Sequence, residues 1–527
     1  MNRGWCKYHQ REDLIRYFVE ERDTINLIKG KNNKMKSGTK RTDFASRNTR
    51  IKKKVMIKGF LTLLAVSLMF GFLIIGCNSE LVSVNSETET LPPDSLQFES
   101  RTTDGDFRFE TILPTYLNFK LVPYAGEENG SESFTSKDLI FVTIRNEAGE
   151  GIYTNGVPAG GTLAAELVLP PEPQDFTMTL SGPRYDERTL SFERLNQYQQ
   201  VTGTIFITRK TASRFLVSTN DGDGDGVPDV YDAFPDNPWL AFSETTPAVK
   251  MLTIAFEDNY PRLGDGDYND FVATYFLEEA WAANGLVKVI LGRVRALARV
   301  AGYNHRFGMM IDFDNYFGVM LIRNLDDQGN ITRTEWAFVE DWADITLFQE
   351  TKKSFSRPTT YVTVDNGYPD QLNSKGHRAQ FALLLLWCGE GYPPPSGIKT
   401  EWNVYDPYLY VYDTNCDVHL IGKPPLPYSQ NPNDPDGFRD ANGFPRALLV
   451  PSDWGYPIEL THIERAYDDF DEWRRSDGTD YNSWYLNPNE EHVIHIEPKL
   501  PRIIITQELF DELSNMLEVY LPGAFIL

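Results

Sequence analysis

Between Thr219 and Pro238 the chain reads TNDGDGDGVPDVYDAFPDNP. Asp221, Asp223, Asp225, Gly226, Asp229 and Asp232 fall at positions 1, 3, 5, 6, 9 and 12 of a loop. Carboxylates on alternate residues, followed by a glycine that lets the chain turn sharply, aim successive oxygens at one centre. A hard divalent cation such as calcium takes about six to eight oxygens. The spacing supplies them from the side chains of Asp221, Asp223 and Asp225, the backbone carbonyl of Val227, Asp229 directly or through water, and Asp232 closing the shell. An EF-hand places a longer Glu last, so Asp232 serves only in a tighter loop. Pro228 and Pro235 interrupt the flanks, and EF-hand helices are not expected there. The competing reading is an acidic turn without metal.

A second acidic stretch, EDNYPRLGDGDYND, runs from Glu257 to Asp270. Asp265, Asp267 and Asn269 repeat the alternate spacing, with Asp270 where the turn glycine would stand. On its flanks Leu252, Ile254 and Phe256 alternate, as do Val272, Thr274 and Phe276, which predicts two strands of a hairpin. Such a hairpin brings Glu257 and Asp258 beside the Asp265–Asp270 loop. Six carboxylate or amide groups so placed repel one another without a cation, so a second calcium site is expected, against a solvated acidic loop as the alternative.

The first loop is similar to thrombospondin type 3 repeats, in which such loops wrap calcium without helices. Together the motifs DGDGDGVPDVYDAFPDNP and IAFEDNYPRLGDGDYNDFV resemble the LruC domain of bacterial lipoproteins and other exported proteins. The resemblance continues through RFGMMIDF, DPYLYVYDTNCDVHLIGKPP and GFPRALLVPSDWGYPIELTHIERAYDDFDEW, covering residues 214–495. Where that family often has Asn-Gly-Phe-Gly, this chain has Asn304-His305-Arg306-Phe307-Gly308. The resemblance implies an exported, β-rich, calcium-dependent module of unknown activity, and it does not imply an enzyme.

The elements that must position these loops read as mainly β. Residues 105–212 carry FRFET, YLNFKLV, DLIFVTIR, LAAELVL, FTMTL and TGTIFITR, punctuated by turn signals that include Asn155-Gly156, and predict an N-terminal β-sandwich. A larger β-rich domain of the LruC type with few helices follows over 214–495, opening with the calcium loop at 219–238. Within it Leu286–Val300 is expected as a strand bulged at Gly292. Helices are expected at Ile458–Arg475 and, in the C-terminal tail 496–527, at Thr506–Tyr520, where Leu509, Leu513 and Leu517 share a face.

Upstream, residues 1–54 form a basic extension, with the true start expected at Met56 or Met35. Residues 55–77 join Lys52–Lys54 and Lys58 to an apolar run that closes on Ile74-Ile75-Gly76-Cys77. This resembles a bacterial lipoprotein signal, which implies lipidation of Cys77 and attachment to a membrane through that lipid. A single transmembrane helix is the alternative. Residues 78–104, rich in Ser, Glu, Thr and Pro, are a flexible tether. Asn78 after the cysteine favours the outer membrane of the cell envelope.

Charge narrows the partners. Residues 1–58 hold 17 Lys/Arg and 6 Asp/Glu of the totals of 51 and 75, which leaves a net of −35 in residues 59–527. That balance argues against nucleic acid and anionic headgroups and suits divalent cations. No GxSxG, HExxH, P-loop or dinucleotide motif is present, and no enzyme is expected. His492 and His495 fall on opposite faces of a strand, and His305, His377, His419 and His462 read as isolated. Trp402, Tyr405, Tyr408, Tyr410 and Tyr412 line either a glycan platform or a core. Cys388 and Cys416 form either one disulfide or two buried thiols. The functional expectation is a binding or structural protein with an unknown protein or glycan partner; the alternative is an envelope polysaccharide hydrolase that uses paired carboxylates.

Overall fold

In the computed structural model the described residues are 93–100, 111, 113–124, 138–169, 174–210, 220–246, 251–357, 361–363, 372–373, 375–387, 405–432, 437–451, 454–478, 480–495 and 505–520. The basic extension, the signal segment with Cys77, Cys388, Trp402 and most of the tether lie outside them; the tether expected over 78–104 is corrected at its end, where Ser95–Ser100 is a strand paired with residues 198–204. Among the described residues no helix is long and apolar enough to cross a membrane.

The fold is mainly β. The first half contributes β1 (Ser95–Ser100), β2 (Leu113–Tyr124), β3 (Leu139–Arg145), β4 (Gly151–Pro158), β5 (Thr162–Leu169), β6 (Phe176–Gly182), β7 (Tyr185–Phe192) and β8 (Tyr198–Thr208). One sheet has the order β1-β8-β2-β5, and facing it β4-β3-β6-β7 forms the end of a much larger sheet. Strict alternation in β6 buries Phe176, Met178 and Leu180. The layers meet where Phe119 of β2 stacks on Phe192 of β7, with centroids 5.9 Å apart. The Asn155-Gly156 turn is corrected: both residues sit inside β4, Asn155 opposite Val142 and Gly156 opposite Phe141. A Cβ at Gly156 would lie 2.8 Å from the Phe242 ring, so the glycine there admits a neighbouring ring instead of turning the chain.

The second half adds β9 (Phe242–Thr246), β10 (Leu252–Phe256), β11 (Phe271–Trp281), β12 (Val287–Val300), β13 (His305–Leu325), β14 (Ile331–Phe348), β15 (Tyr361–Thr363), β16 (Leu372–Asn373), β17 (Arg378–Trp387), β18 (Tyr405–Val411), β19 (Cys416–Val418), β20 (Ala447–Pro451), β21 (Tyr456–Pro457) and β22 (Val493–Ile494). Its main path runs β19-β18-β13-β17-β12-β11-β9 and continues into β4 through the pair Tyr153–Glu244. The expected hairpin is β10 and β11, paired from Leu252–Tyr275 to Phe256–Phe271. Every residue of both strands is buried, and β20 pairs with the other edge of β10.

Leu286–Val300 is indeed a strand, but the bulge moves. Pairing with β11 is continuous through Gly292, opposite Leu277, and slips at Lys288 and Leu297 instead. Gly292 makes room for Phe381, whose ring a Cβ would approach to 2.0 Å. The helix expected over Ile458–Arg475 is broken into α1 (Ile463–Ala466) and α2 (Phe470–Arg475). Tyr467 causes the break: it is extended and fully buried, its ring lies 5.0 Å from Trp484, and its hydroxyl donates to Gly455 O at 2.6 Å. The last helix, α3 (Gln507–Tyr520), keeps its expected face. Leu509, Leu513 and Leu517 are buried in a cluster with Val289, Leu291, Val319, Leu321 and Leu384 of the sheet.

Candidate metal centre

The first loop gathers Asp221, Asp223 and Asp225 so that one carboxylate oxygen of each lies within 4.8 Å of the others. Backbone amides set the arrangement. Asp221 accepts from the N–H groups of Gly224 and Gly226 at 2.8 and 3.1 Å, Asp223 from Asp225 at 3.1 Å, and Asp225 from Val227 at 2.7 Å. The chain turns at Gly224 and Gly226 with φ of 82° and 99°. A Cβ at either position would meet nothing within 4 Å, so the backbone angle, not space, calls for glycine. The Val227 side chain is fully buried and pins the loop to the core. Tyr231 stacks on Phe141 of β3 at 4.3 Å, so the loop rests on the first sandwich.

Asp229 stands apart from the trio. Its Oδ1 accepts the Gly222 N–H at 2.7 Å, and its own N–H donates to Asn220 O at 2.8 Å, which closes the loop. Asp232 Oδ1 accepts the Phe234 N–H at 2.6 Å. Among the described residues, one oxygen each of Asp223, Asp225 and Asp232 is buried with no hydrogen-bond partner. Unpaired buried polar atoms are uncommon and costly. Burial, reinforced by the neighbouring aspartates, pushes Asp225 up to about 6 and Asp232 up to about 7. A divalent cation fits this donor set: all its ligands are hard oxygens, and it answers both the unpaired atoms and the repulsion.

The second cluster is deeper. Glu257, which follows β10, and Asp265 and Asp267, which precede β11, bring carboxylate oxygens within 4.8 Å of one another. Glu257 accepts from the N–H groups of Tyr268 at 2.7 Å and Gly266 at 3.3 Å. Asp267 accepts from the N–H groups of Asn269 at 3.3 Å and Leu460 at 2.7 Å. Burial pushes Glu257 up to about 7 and Asp267 up to about 9, each raised further by the other carboxylates. Asp258 and Asp270 line the same pocket of charge, the Asp258 N–H donating to Asp270 Oδ2 at 2.7 Å, and burial raises Asp270 well above its ordinary range. Asn269 is fully buried; its Nδ2 donates to Pro457 O at 3.2 Å, and its Oδ1 has no partner among the described residues.

Sequence reasoning missed Glu459. It lies in the turn between β21 and α1 and is raised to about 7 by burial and by the charges of Asp265 and Asp258. No local pattern marks it, because the chain delivers it from a distant segment. His305 is not isolated either: its Nε2 lies 2.7 Å from Asp258 Oδ2 and its Nδ1 3.2 Å from Thr351 Oγ1, all inside the core. His419 is likewise paired, with Asp406 and Asp417. His492 accepts from Arg465 Nε at 3.1 Å, and His495 lies 3.2 Å from Glu490. Tyr405 and Tyr408 belong to the core, whereas Tyr412 is exposed. Arg306 lies over the rings of Tyr408, Tyr410 and Tyr428 at 5.5, 5.0 and 5.2 Å. Cys416 is a buried free thiol.

Residues 285–485 match the model of a domain of unknown function (DUF4842). The match begins after both acidic loops and takes in Glu459. No curated protein matches the chain. Among solved structures, a candidate lipoprotein from Bacteroides ovatus aligns at 15% identity and a TM-score of 0.40, over 68% of this chain and 100% of the other. Carbohydrate-binding modules of the β-sandwich superfamily with promiscuous specificity align at 8% identity and a TM-score of 0.12, over 53% of this chain and 93% of the other. At those scores neither likeness carries an argument, and the β architecture rests on the strands themselves.

Proposed function

We propose that this is an exported, lipid-anchored envelope protein whose β module is stiffened by calcium and serves a binding or structural role. The carrying observation is the convergence of Asp221, Asp223 and Asp225, with buried, unpaired oxygens on Asp223, Asp225 and Asp232. Asp221, Asp223, Asp225 and Asp232 hold one calcium at the joint between the first sandwich and the strands beyond it. Glu257, Asp265, Asp267 and Glu459 hold a second, with Asp258, Asn269 and Asp270 around them. The metal role is structural: it neutralises carboxylates that backbone amides have already placed.

The lipid is carried by Cys77, which places the module at the bacterial outer membrane as an LruC-type lipoprotein with a loop of the thrombospondin type 3 kind. Its partner is another envelope protein or a glycan. Titrating calcium into the metal-free full chain by calorimetry tests the metal reading: two binding events are expected, one lost in Asp225→Asn and the other in Asp267→Asn. Absence of binding heat overturns it. Globomycin tests the anchor, since unprocessed precursor must accumulate; processing that continues unchanged contradicts lipidation at Cys77.

A further inference from the structure

A third buried charged group, unrelated to the acidic loops, lies at the far end of the large sheet. His419 directly follows β19 and is fully buried. Its Nδ1 lies 2.9 Å from Asp406 Oδ2 on β18, and its Nε2 lies 3.2 Å from Asp417 Oδ2 on β19. The ring is flanked by Tyr408, stacked at 5.5 Å, and by Phe438 at 5.2 Å. A neutral imidazole has a single N–H. Whichever nitrogen carried it, the other would turn a lone pair toward a carboxylate in the protein interior. The imidazolium hydrogen-bonds Asp406 through Nδ1 and, although its Nε2 makes no hydrogen bond of good geometry, sets a positive charge instead of a lone pair 3.2 Å from Asp417.

The same carboxylates organise the following turn. Asp417 Oδ2 also accepts the Leu426 N–H at 2.6 Å, while the Asp417 N–H and C=O bond the Asn431 side chain at 2.8 and 3.1 Å. Residues 426–431 are therefore fastened to Asp417 at both ends. Between them Tyr428 donates to Asp344 Oδ2 at 2.6 Å beside Arg306. We propose that His419 is a latch protonated at neutral pH: its imidazolium neutralises Asp406 and Asp417, keeps Asp417 in place, and so seats the 426–431 turn and Tyr428 against the sheet. Loss of that proton releases the turn.

The groups facing His419 are Asp406 and Tyr408 from β18, Asp417 from β19 and Phe438 from the following loop. Lys423 lies nearby with its Nζ 3.3 Å from Tyr405 O, and Asp344 acts through its bond to Tyr408 at 2.5 Å. Burial opposes the charge on His419, but the two carboxylates outweigh it and raise the histidine from 6.5 to about 9. A raised histidine contributes stability that is complete below its unfolded value and is lost as pH rises through about 9. The latch is therefore closed at neutral pH and opens in alkali.

The test is nitrogen NMR of the full chain with labelled histidine. Of the 7 histidines, one must show both ring nitrogens protonated at about pH 8, where an unperturbed histidine is neutral, and its signal must vanish in His419→Gln. If no histidine is protonated there, the proposal is overturned. Should His419→Gln fail to fold, Asp406→Asn gives a second reading: at least a tenfold loss of proton affinity at that histidine is expected, and an unchanged titration contradicts the latch. The protection factor at Leu426, corrected for the intrinsic rise of amide exchange with pH, must fall as the histidine loses its proton; a protection factor independent of that step also refutes it.

Discussion

The backbone N–H of Leu460 donates to Asp267 Oδ2 at 2.7 Å across 193 residues of sequence. That bond ties the turn before α1 to the loop before β11 and carries Glu459 to the second acidic cluster. Replacing Glu459 by Gln removes one half-buried charge while keeping the shape. In the metal-free protein the melting temperature is expected to rise, because repulsion falls; with calcium present it is expected to drop, because a ligand is lost. Thermal melts with and without chelator check both signs, and a variant that shifts both melts the same way separates Glu459 from the metal.

The pH dependence of the metal-free protein follows from the same groups. Folded-state values of about 7 for Asp232, Glu257 and Glu459 and about 9 for Asp267 lie above those of the unfolded chain. Between the unfolded and folded values the folded state binds more protons, so stability falls as pH rises. Chelated protein is expected to lose denaturant resistance steadily from about pH 4 to about pH 9. Saturating calcium, by stabilising the ionised carboxylates, is expected to flatten or reverse that slope. Parallel curves with and without calcium would count against the metal.

Gly226 isolates the geometry of the first loop from its charge. Alanine there meets no neighbour within 4 Å but must hold a φ of 99°. The expected cost is about 1–2 kcal/mol from left-handed backbone strain, read as a fall in the denaturation midpoint together with weaker calcium binding. A neutral effect on both would mean that the loop is not held in this conformation.

Leu513→Ala probes the attachment of α3. The side chain is fully buried against Val319, Leu321 and Leu384. Truncation is expected to cost about 2–5 kcal/mol, measured by urea denaturation; because Phe234, whose N–H holds Asp232, packs on the same cluster, calcium affinity in the first loop is expected to fall as well, while the second site is left unchanged.

These residues also mark how far local pattern carries. Asp221 to Asp232 lie on one short stretch, so ligand spacing is written in consecutive letters, and the β10–β11 hairpin is legible because its apolar residues alternate. Leu509, Leu513 and Leu517 are legible for the same reason, at the helical period. Glu459, His305 and His419 are not, since each acquires its role from a partner on another segment of the chain. Asn155-Gly156 misleads because a glycine that clears space for Phe242 looks in sequence like one that turns the chain. The break at Tyr467 is invisible for a related reason: helical periodicity continues through it, and the burial of its ring beside Trp454 and Trp484 overrides that pattern.

The most direct test of calcium in the first loop is anomalous diffraction from crystals of the protein grown with calcium. A peak enclosed by Asp221, Asp223 and Asp225, with Asp232 completing the shell, is predicted, together with a second among Glu257, Asp265, Asp267 and Glu459. Aspartate side chains in the same conformation with no anomalous density between them would contradict the central claim.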